Sequence, residues 1–387
     1  IKSADGKVLF DVGTGAECVQ CHMPERPYMG IDYRADHSFR IPRPDLSIKL
    51  GTPNACNRCH LDKTDQWSDE YITKWYGPGR RAHYGTIIAE GQKRAVHAQK
   101  DLVELASDPL YPVIVRSTAL SLLAAYPREE TRRTYELALM ADEALIRRTA
   151  VDHLNASDPE QQVELLASLL YDPVKAVRME AARRMTEIAD PPLNSSQRKV
   201  FQAVLDEYQK SMAYSADFAF GRYNLGNLYA ALKQSEKAET SYQAAIKIDN
   251  LFYPAQVNLA MLYNQLNQKD QAEHLLRDVV TTHPEMYEIH YSLGLLLAEK
   301  KQYEESAGHL TIASQGMPNR ARIHYNLGLL LQVLKRDADA EAALIKALEL
   351  DPDNMDYLYA LADFYLKKGG LQKAKDIAEQ IVAKHPT

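Results

Sequence analysis

Four cysteines and two histidines carry most of the chemistry on offer in this sequence. They stand as Cys18-Val19-Gln20-Cys21-His22 and Cys56-Asn57-Arg58-Cys59-His60, and they use every cysteine in the chain. Two thiols so spaced reach the two vinyl groups of one porphyrin, and the histidine that follows then lies under the iron. The pattern predicts two covalently attached haems c, with thioethers from Cys18, Cys21, Cys56 and Cys59 and with His22 and His60 as proximal iron ligands. Two other chemistries share the cysteine spacing. The four sulfurs would suit one Cys₄ zinc site, which leaves both histidines unexplained. Either pair could also be a redox dithiol, but no strand–helix–strand pattern surrounds it.

An electron-transfer iron takes a sixth ligand, and two histidines would hold the potential low. His37, in Asp36-His37-Ser38-Phe39, is the first distal candidate; the alternative is a surface-loop histidine. His83 and His97 are candidates for the second iron, and Met29 has better reach than Met23, which adjoins a proximal histidine. A distal ligand from another chain is a further option. Arg34, Arg40 and Arg43 bracket His37 and either anchor haem propionates or pair with Asp32, Asp36 and Asp45.

The elements that must position these residues fall into three sections: 1–90, 91–212 and 213–387. Residues 1–62 hold five Pro and five Gly, few apolar residues and no sustained helical period, too little for a core without an apolar cofactor at its centre. A helix is expected over Asp65 to Tyr76, stopped by Gly77-Pro78-Gly79, with another beginning near Arg80. In the second section the pairs Arg116/Ala119, Arg147/Ala150 and Arg178/Ala181 recur every 31 residues, with Asp108-Pro109 and Asp172-Pro173 ahead of two of them. This resembles HEAT-type repeats, in which such Asp and Arg residues hold neighbouring repeats in register.

The third section is more regular. Gly226, Ala260, Gly294, Gly328 and Ala362 step by 34 residues, as do Ala238, Ala272, Ser306, Ala340 and Ala374, and Pro284, Pro318, Pro352 and Pro386. These spacings, with Tyr223-Asn224-Leu225-Gly226-Asn227-Leu228-Tyr229, resemble five tetratricopeptide repeats over residues 219–387. Tyr223, Tyr291, Tyr325 and Tyr359 share one repeat position, interrupted by Val257, and form either an aromatic strip for a peptide or protein partner or ordinary repeat packing. His274, His290, His309 and His324 sit at unremarkable helix positions. The expected fold is all-α: an irregular haem-organised N-terminal section, then an α-α solenoid of HEAT-like repeats and five tetratricopeptide repeats.

Cys21-His22-Met23-Pro24, Tyr28-Met29-Gly30, Asp36-His37-Ser38-Phe39-Arg40, Pro42-Arg43-Pro44-Asp45 and Gly51-Thr52-Pro53-Asn54-Ala55-Cys56 resemble multihaem c-type cytochromes that carry tetratricopeptide repeats. The resemblance implies the C-terminal part of a larger electron conduit with closely stacked haems, although such proteins usually have further CxxCH motifs ahead of this pair. Ile1-Lys2-Ser3-Ala4-Asp5-Gly6 reads like the middle of a domain and begins no signal peptide, so more protein is expected upstream.

A net charge of −6, from 46 basic and 52 acidic residues, offers no basic footprint for nucleic acid. No apolar run reaches the roughly 18 residues needed to span a bilayer. Haem attachment outside the energy-transducing membrane implies an exported protein, periplasmic or extracellular. The expected function is electron transfer, with redox proteins, further haem domains or copies of the chain as partners and the solenoid for docking or self-assembly. A small-molecule reductase or a scaffold with structural haems are the alternatives; no catalytic constellation beside an open iron is visible.

Overall fold

A computed structural model describes residues 17–37, 39–155, 158–188 and 190–384. Ser38, Pro386 and the opening Ile1–Gly6 lie outside them. The chain forms two compact units, 1–184 and 185–387.

In the first unit, α1 (Cys18–His22) leads into a hairpin of β1 (Glu25–Tyr28) and β2 (Asp32–Ala35), which pair antiparallel. The hairpin was not anticipated. Its strands are four residues each and almost wholly exposed, so they show no in–out alternation, and the reversal uses positive φ at Met29 and Gly30. α2 (Pro44–Leu50) starts on a proline and ends at Gly51 with φ 68°. α3 (Asp65–Tyr76) is capped by Thr64, whose hydroxyl accepts the Trp67 N–H, and stops at Gly77 as its sequence predicts. α4 (Tyr84–Gln92) begins four residues beyond Arg80, because the His83 ring supplies its cap at Gly85 N.

Six helices follow: α5 (Ala98–Ser107), α6 (Val113–Leu123), α7 (Glu129–Ala138), α8 (Ala144–His153), α9 (Pro159–Ala167) and α10 (Lys175–Met185). Their 31-residue signature has a physical basis. Ala119, Ala150 and Ala181 are fully buried. Arg147 makes a bidentate pair with Asp172 at 2.7 and 3.0 Å and donates to the Ala141 and Asp142 carbonyls. Arg116 reaches forward in the same way to Glu143, at 2.8 Å, and back to the Ala106 carbonyl. Arg147 thus ties the loop before its own helix, and Arg116 the end of the preceding helix, to an acid about one repeat later, and that sets the register.

The second unit opens with α11 (Ser195–Tyr214), held at its start by an Asn194/Gln197 capping box. Five helix pairs then repeat every 34 residues without insertion: α12 (Ala219–Ala231) with α13 (Ser235–Ile248), α14 (Tyr253–Gln265) with α15 (Lys269–Thr282), and α16 (Tyr287–Glu299) with α17 (Tyr303–Gly316). The last two are α18 (Ala321–Val333) with α19 (Asp337–Leu350) and α20 (Met355–Lys367) with α21 (Leu371–Lys384). The small residues work as their spacing predicts: Ala238, Ala272, Ser306 and Ala340 are fully buried where paired helices touch, and the Ser306 hydroxyl donates to the Gly294 carbonyl at 2.6 Å.

Two further 34-residue devices escaped the sequence reading. The first helix of every pair ends in a Schellman turn, with the left-handed residue at Lys233, Asn267, Lys301, Lys335 and Gly369. The closing bonds are Gln234 N to Tyr229 O, Gln268 N to Tyr263 O, Gln302 N to Leu297 O, Arg336 N to Leu331 O and Gly370 N to Tyr365 O. Side chains at one position of four successive repeats also donate to a carbonyl six residues back: Arg222 to Ala216, Gln256 to Asn250, His290 to Pro284 and His324 to Pro318. Residue types differ at both positions, while the backbone angle or the donor nitrogen is shared.

A left-handed lysine carries steric cost that glycine does not. Lys301→Gly, at φ 63°, is expected to stabilise the second unit by about 0.5–1 kcal/mol, read as a rise in its urea midpoint; an unchanged or lower midpoint would show that the lysine is not strained.

Candidate functional site

The two CxxCH strings lie on different local structure. Cys18 and Cys21 sit on the short α1, and Cys56 and Cys59 on a 3₁₀ turn that Asn54 organises by accepting the Cys56 N–H and donating to Asp65. All four thiols are free, and three of the four residues are exposed. They share one neighbourhood. Loss of water around its sulfur, followed by the charges of Cys56, Cys59 and Cys18, pushes the Cys21 thiol up, although that residue as a whole is exposed. A raised thiol is poorly suited to act as a redox nucleophile. Among the described residues no three His, Cys, Asp or Glu side chains converge on a metal-sized point. A closed Cys₄ cage needs such convergence; a haem iron, which takes only one or two protein ligands, does not.

The chain around the motifs has little interior. Among the described residues from 17 to 43 none is buried, and Val19, Tyr28, Met29, Ile31, Tyr33, Phe39 and Ile41 are all exposed. Folded protein seldom leaves so much apolar side chain open in so short a stretch. Four free thiols, two adjacent histidines and an uncovered apolar lining together fit a large apolar macrocycle.

His22 is held more tightly than its loop suggests. The Asp36 N–H donates to the Pro24 carbonyl, and the hairpin returns the chain so that the Arg40 N–H donates to the His22 carbonyl at 2.8 Å. The His22 ring Nδ1 donates to the Arg40 carbonyl at 2.7 Å, since a carbonyl can only accept. In the neutral ring Nε2 then bears the lone pair. Phe39 stacks on the imidazole at 4.8 Å, with 7° between the planes, and does so from a left-handed backbone (φ 44°) that costs about 1–3 kcal/mol for a non-glycine residue. His60 has a looser environment: its ring touches Trp67 at 4.8 Å with a 50° tilt. Trp67 continues through Tyr71 to Trp75 along one face of α3.

The other candidates stand as follows. His37 is exposed at the end of the hairpin's return strand. His83 accepts the Gly85 N–H on Nδ1 at 3.0 Å, which puts the hydrogen of the neutral ring on Nε2 and so opposes its use as an iron ligand while it caps α4. Burial, then the charges of Arg43 and Arg40, hold the His83 pKa below the usual histidine value. His97 precedes α5, mostly exposed and 3.7 Å from Glu90. Met29 is at the hairpin tip, 80% exposed. The three arginines pair with the acids named as their alternatives: Arg34 with Asp32 at 3.6 Å, Arg40 with Asp36 at 3.2 Å, and Arg43 with Asp45 through two bonds of 2.8 and 2.7 Å. Arg43 also donates to the Arg81 carbonyl, so its guanidinium serves the protein frame. Arg34 forms an exposed pair that solvent screens, whereas in the Arg40 pair the Asp36 side chain is half-buried. Phe39, the Arg40 carbonyl and Trp67 were not foreseen; a backbone acceptor leaves no mark in the sequence.

In the second unit the tyrosine strip is partly structural. The Tyr223 hydroxyl accepts from Asn258 at 3.3 Å and Tyr291 from Asn326 at 2.7 Å, so each bridges to the next repeat. Arg320 and Arg322 lie over the Tyr291 and Tyr325 rings, and Met261 and Tyr359 are exposed.

These helix pairs, joined by short turns and stacked at constant period, define a helical-repeat solenoid. Its repeats are tetratricopeptide repeats: that family matches residues 221–250, 257–314, 321–354 and 338–387. No curated protein matches the chain. Among solved structures, MamA from residue 41 of Desulfovibrio magneticus RS-1 is 19% identical, over 43% of this chain and 94% of that one, with a TM-score of 0.41. YrrB, described as a TPR protein with an unusual peptide-binding site, is 20% identical over 46% and 92%, at 0.42. Pseudomonas aeruginosa pilF is 23% identical over 47% and 78%, at 0.38. Among the described residues no helix is long and apolar enough to cross a membrane.

Proposed function

We propose that this chain is an exported electron carrier, periplasmic or extracellular, that holds two covalent haems c and docks to a redox protein or to copies of itself through its tetratricopeptide solenoid. The observation that carries the reading is the doubled CxxCH within a section that buries almost nothing of its own. When bound, haem c supplies reversible one-electron chemistry. Cys18 with Cys21, and Cys56 with Cys59, would be the attachment pairs. His22 presents Nε2 as a lone pair, and His60 completes the second motif. His37, exposed and close in sequence to the clamped His22, is the first distal candidate. Arg34, whose pair with Asp32 is exposed on both sides, could exchange that aspartate for a propionate. Further haems in an upstream segment or in a partner chain accord with the multihaem resemblance. In the solenoid, Tyr325 and Tyr359, at the same position of adjacent repeats, offer an aromatic surface for an extended segment of the partner.

Intact mass tests the attachment. The protein purified from a host that matures c-type cytochromes is expected to exceed its polypeptide mass by two haems and to show c-type bands when reduced. C18S/C21S and C56S/C59S should each remove one haem. A colourless protein of unmodified mass from that host would overturn the reading.

A further inference from the structure

The two motifs are built differently, and the difference lies in what surrounds the histidine. At the first, residues 39 and 40 grip His22 three times: the Arg40 N–H on its carbonyl, the Arg40 carbonyl on its Nδ1–H, and the Phe39 ring across its face. Phe39 makes its contact from a left-handed backbone, φ 44°. Strain of that kind survives where surrounding contacts over-determine it, and it gathers at functional positions. The stack covers the ring's face and leaves the edge that bears Nε2 open. At the second motif the only ring contact among the described residues is the tilted one from Trp67, with no hydrogen bond to the His60 imidazole.

We infer that Phe39 and Arg40 form a positioning clamp for His22 and that it makes the two haem sites unequal. This rests on the haem reading above. A carbonyl acceptor on Nδ1–H fixes the tautomer and makes Nε2 a stronger electron donor, whereas a ring without that bond is weaker. Stronger donation favours the oxidised metal, so the site of His22 has the lower reduction potential and that of His60 the higher. Electrons entering at the first site then run downhill to the second. Phe39 and the Arg40 backbone are positioning groups: they act on His22 and hold no haem atom themselves.

Redox titration of the intact protein, followed in the c-type bands, is the test. Two separated midpoints are expected. Phe39→Ala should raise the lower one and leave the higher in place, with both haems still present by mass, while Phe39→Tyr, which keeps the stack, should restore the wild-type separation. Two haems whose midpoints ignore Phe39→Ala would overturn the clamp. Protein without haem by mass would instead overturn the proposed function, and the clamp is then read on the haem-free chain by nitrogen-15 NMR. There a slowly exchanging His22 Nδ1 proton that disappears in Phe39→Ala supports it, and a His22 ring protonated on Nε2 overturns it.

Discussion

Arg147→Met is expected to cost the first unit about 3–5 kcal/mol, because it leaves Asp172 buried without the partner that neutralises it. The Arg147 and Asp172 side chains are 12% and 4% exposed, and the guanidinium also satisfies two carbonyls at the end of the preceding loop. Burial works to raise the Asp172 pKa, but the Arg147 hydrogen bonds, the Val174 N–H and the charges of Arg147 and Arg178 together hold it below the ordinary carboxylate value. The stability this linkage contributes is present above about pH 3.9, the unfolded value, and is lost as pH falls through the lower folded value. In the variant, burial prevails and the penalty eases once the carboxyl is protonated. The gap between wild type and variant should therefore be widest near neutrality and narrow toward pH 4. Urea unfolding by circular dichroism, with hydrogen exchange of α6 and α8 to assign the loss to this unit, measures it. Asp172→Asn added to Arg147→Met removes the stranded charge and keeps an acceptor for the Val174 N–H, and should recover part of the loss. A single variant within about 1 kcal/mol of wild type would mean that the arginine does not set the register.

The second large effect separates glycines that look equivalent in sequence. A Cβ on Gly226 would lie 2.5 Å from the Tyr242 ring, whereas on Gly294 and Gly328 it would meet Leu310 at 2.9 Å and Leu344 at 2.8 Å. Tyr242 cannot swing away. It is 2% exposed, and its hydroxyl donates to Asn227, whose carbonyl oxygen also receives Asn258 from the next repeat. Leucine adapts: Ala260 and Leu276 already occupy the corresponding positions of the second repeat, and both are buried. Gly226→Ala should thus cost about 2–3 kcal/mol through overpacking. Gly294→Ala should be nearly neutral, since alanine's helix preference of up to about 1 kcal/mol offsets the push on Leu310. Calorimetric melting, with hydrogen exchange of α12 and α13, distinguishes the two; equal effects would refute the argument.

What the sequence displays in this protein is what side-chain size and thiol chemistry enforce. The 34-residue steps of small residues are legible because helices touch there and only small residues fit. The 31-residue Arg/Ala pairs are legible because burial and ion pairing act on the same two positions. The Schellman turns are not, since lysine, asparagine and glycine all adopt the left-handed angle, and neither is the recurring bond to a carbonyl six residues back, which arginine, glutamine and histidine make equally well. At the candidate site the two CxxCH strings could be read directly, and the proposed haem attachment rests on them. The arginines around His37 could not be resolved, because an aspartate and a propionate present the same carboxylate to a guanidinium, and the structure supplies the aspartates. His83, a candidate distal ligand by sequence, caps α4 through Nδ1, and the two roles draw on the same ring nitrogens.

The open stretch between Cys18 and Arg43 also bears on how long each copy of the chain survives. Away from the contacts at His22, a segment that buries none of its described residues has little free energy of its own to oppose local opening. Copies in which Val19, Ile31 and Phe39 stay uncovered are then the ones a protease cuts first, near the hairpin, while the repeats behind remain intact. On the proposed haem reading, clearance would act as the proofreading step, and the surviving population would be enriched in chains whose lining has been covered.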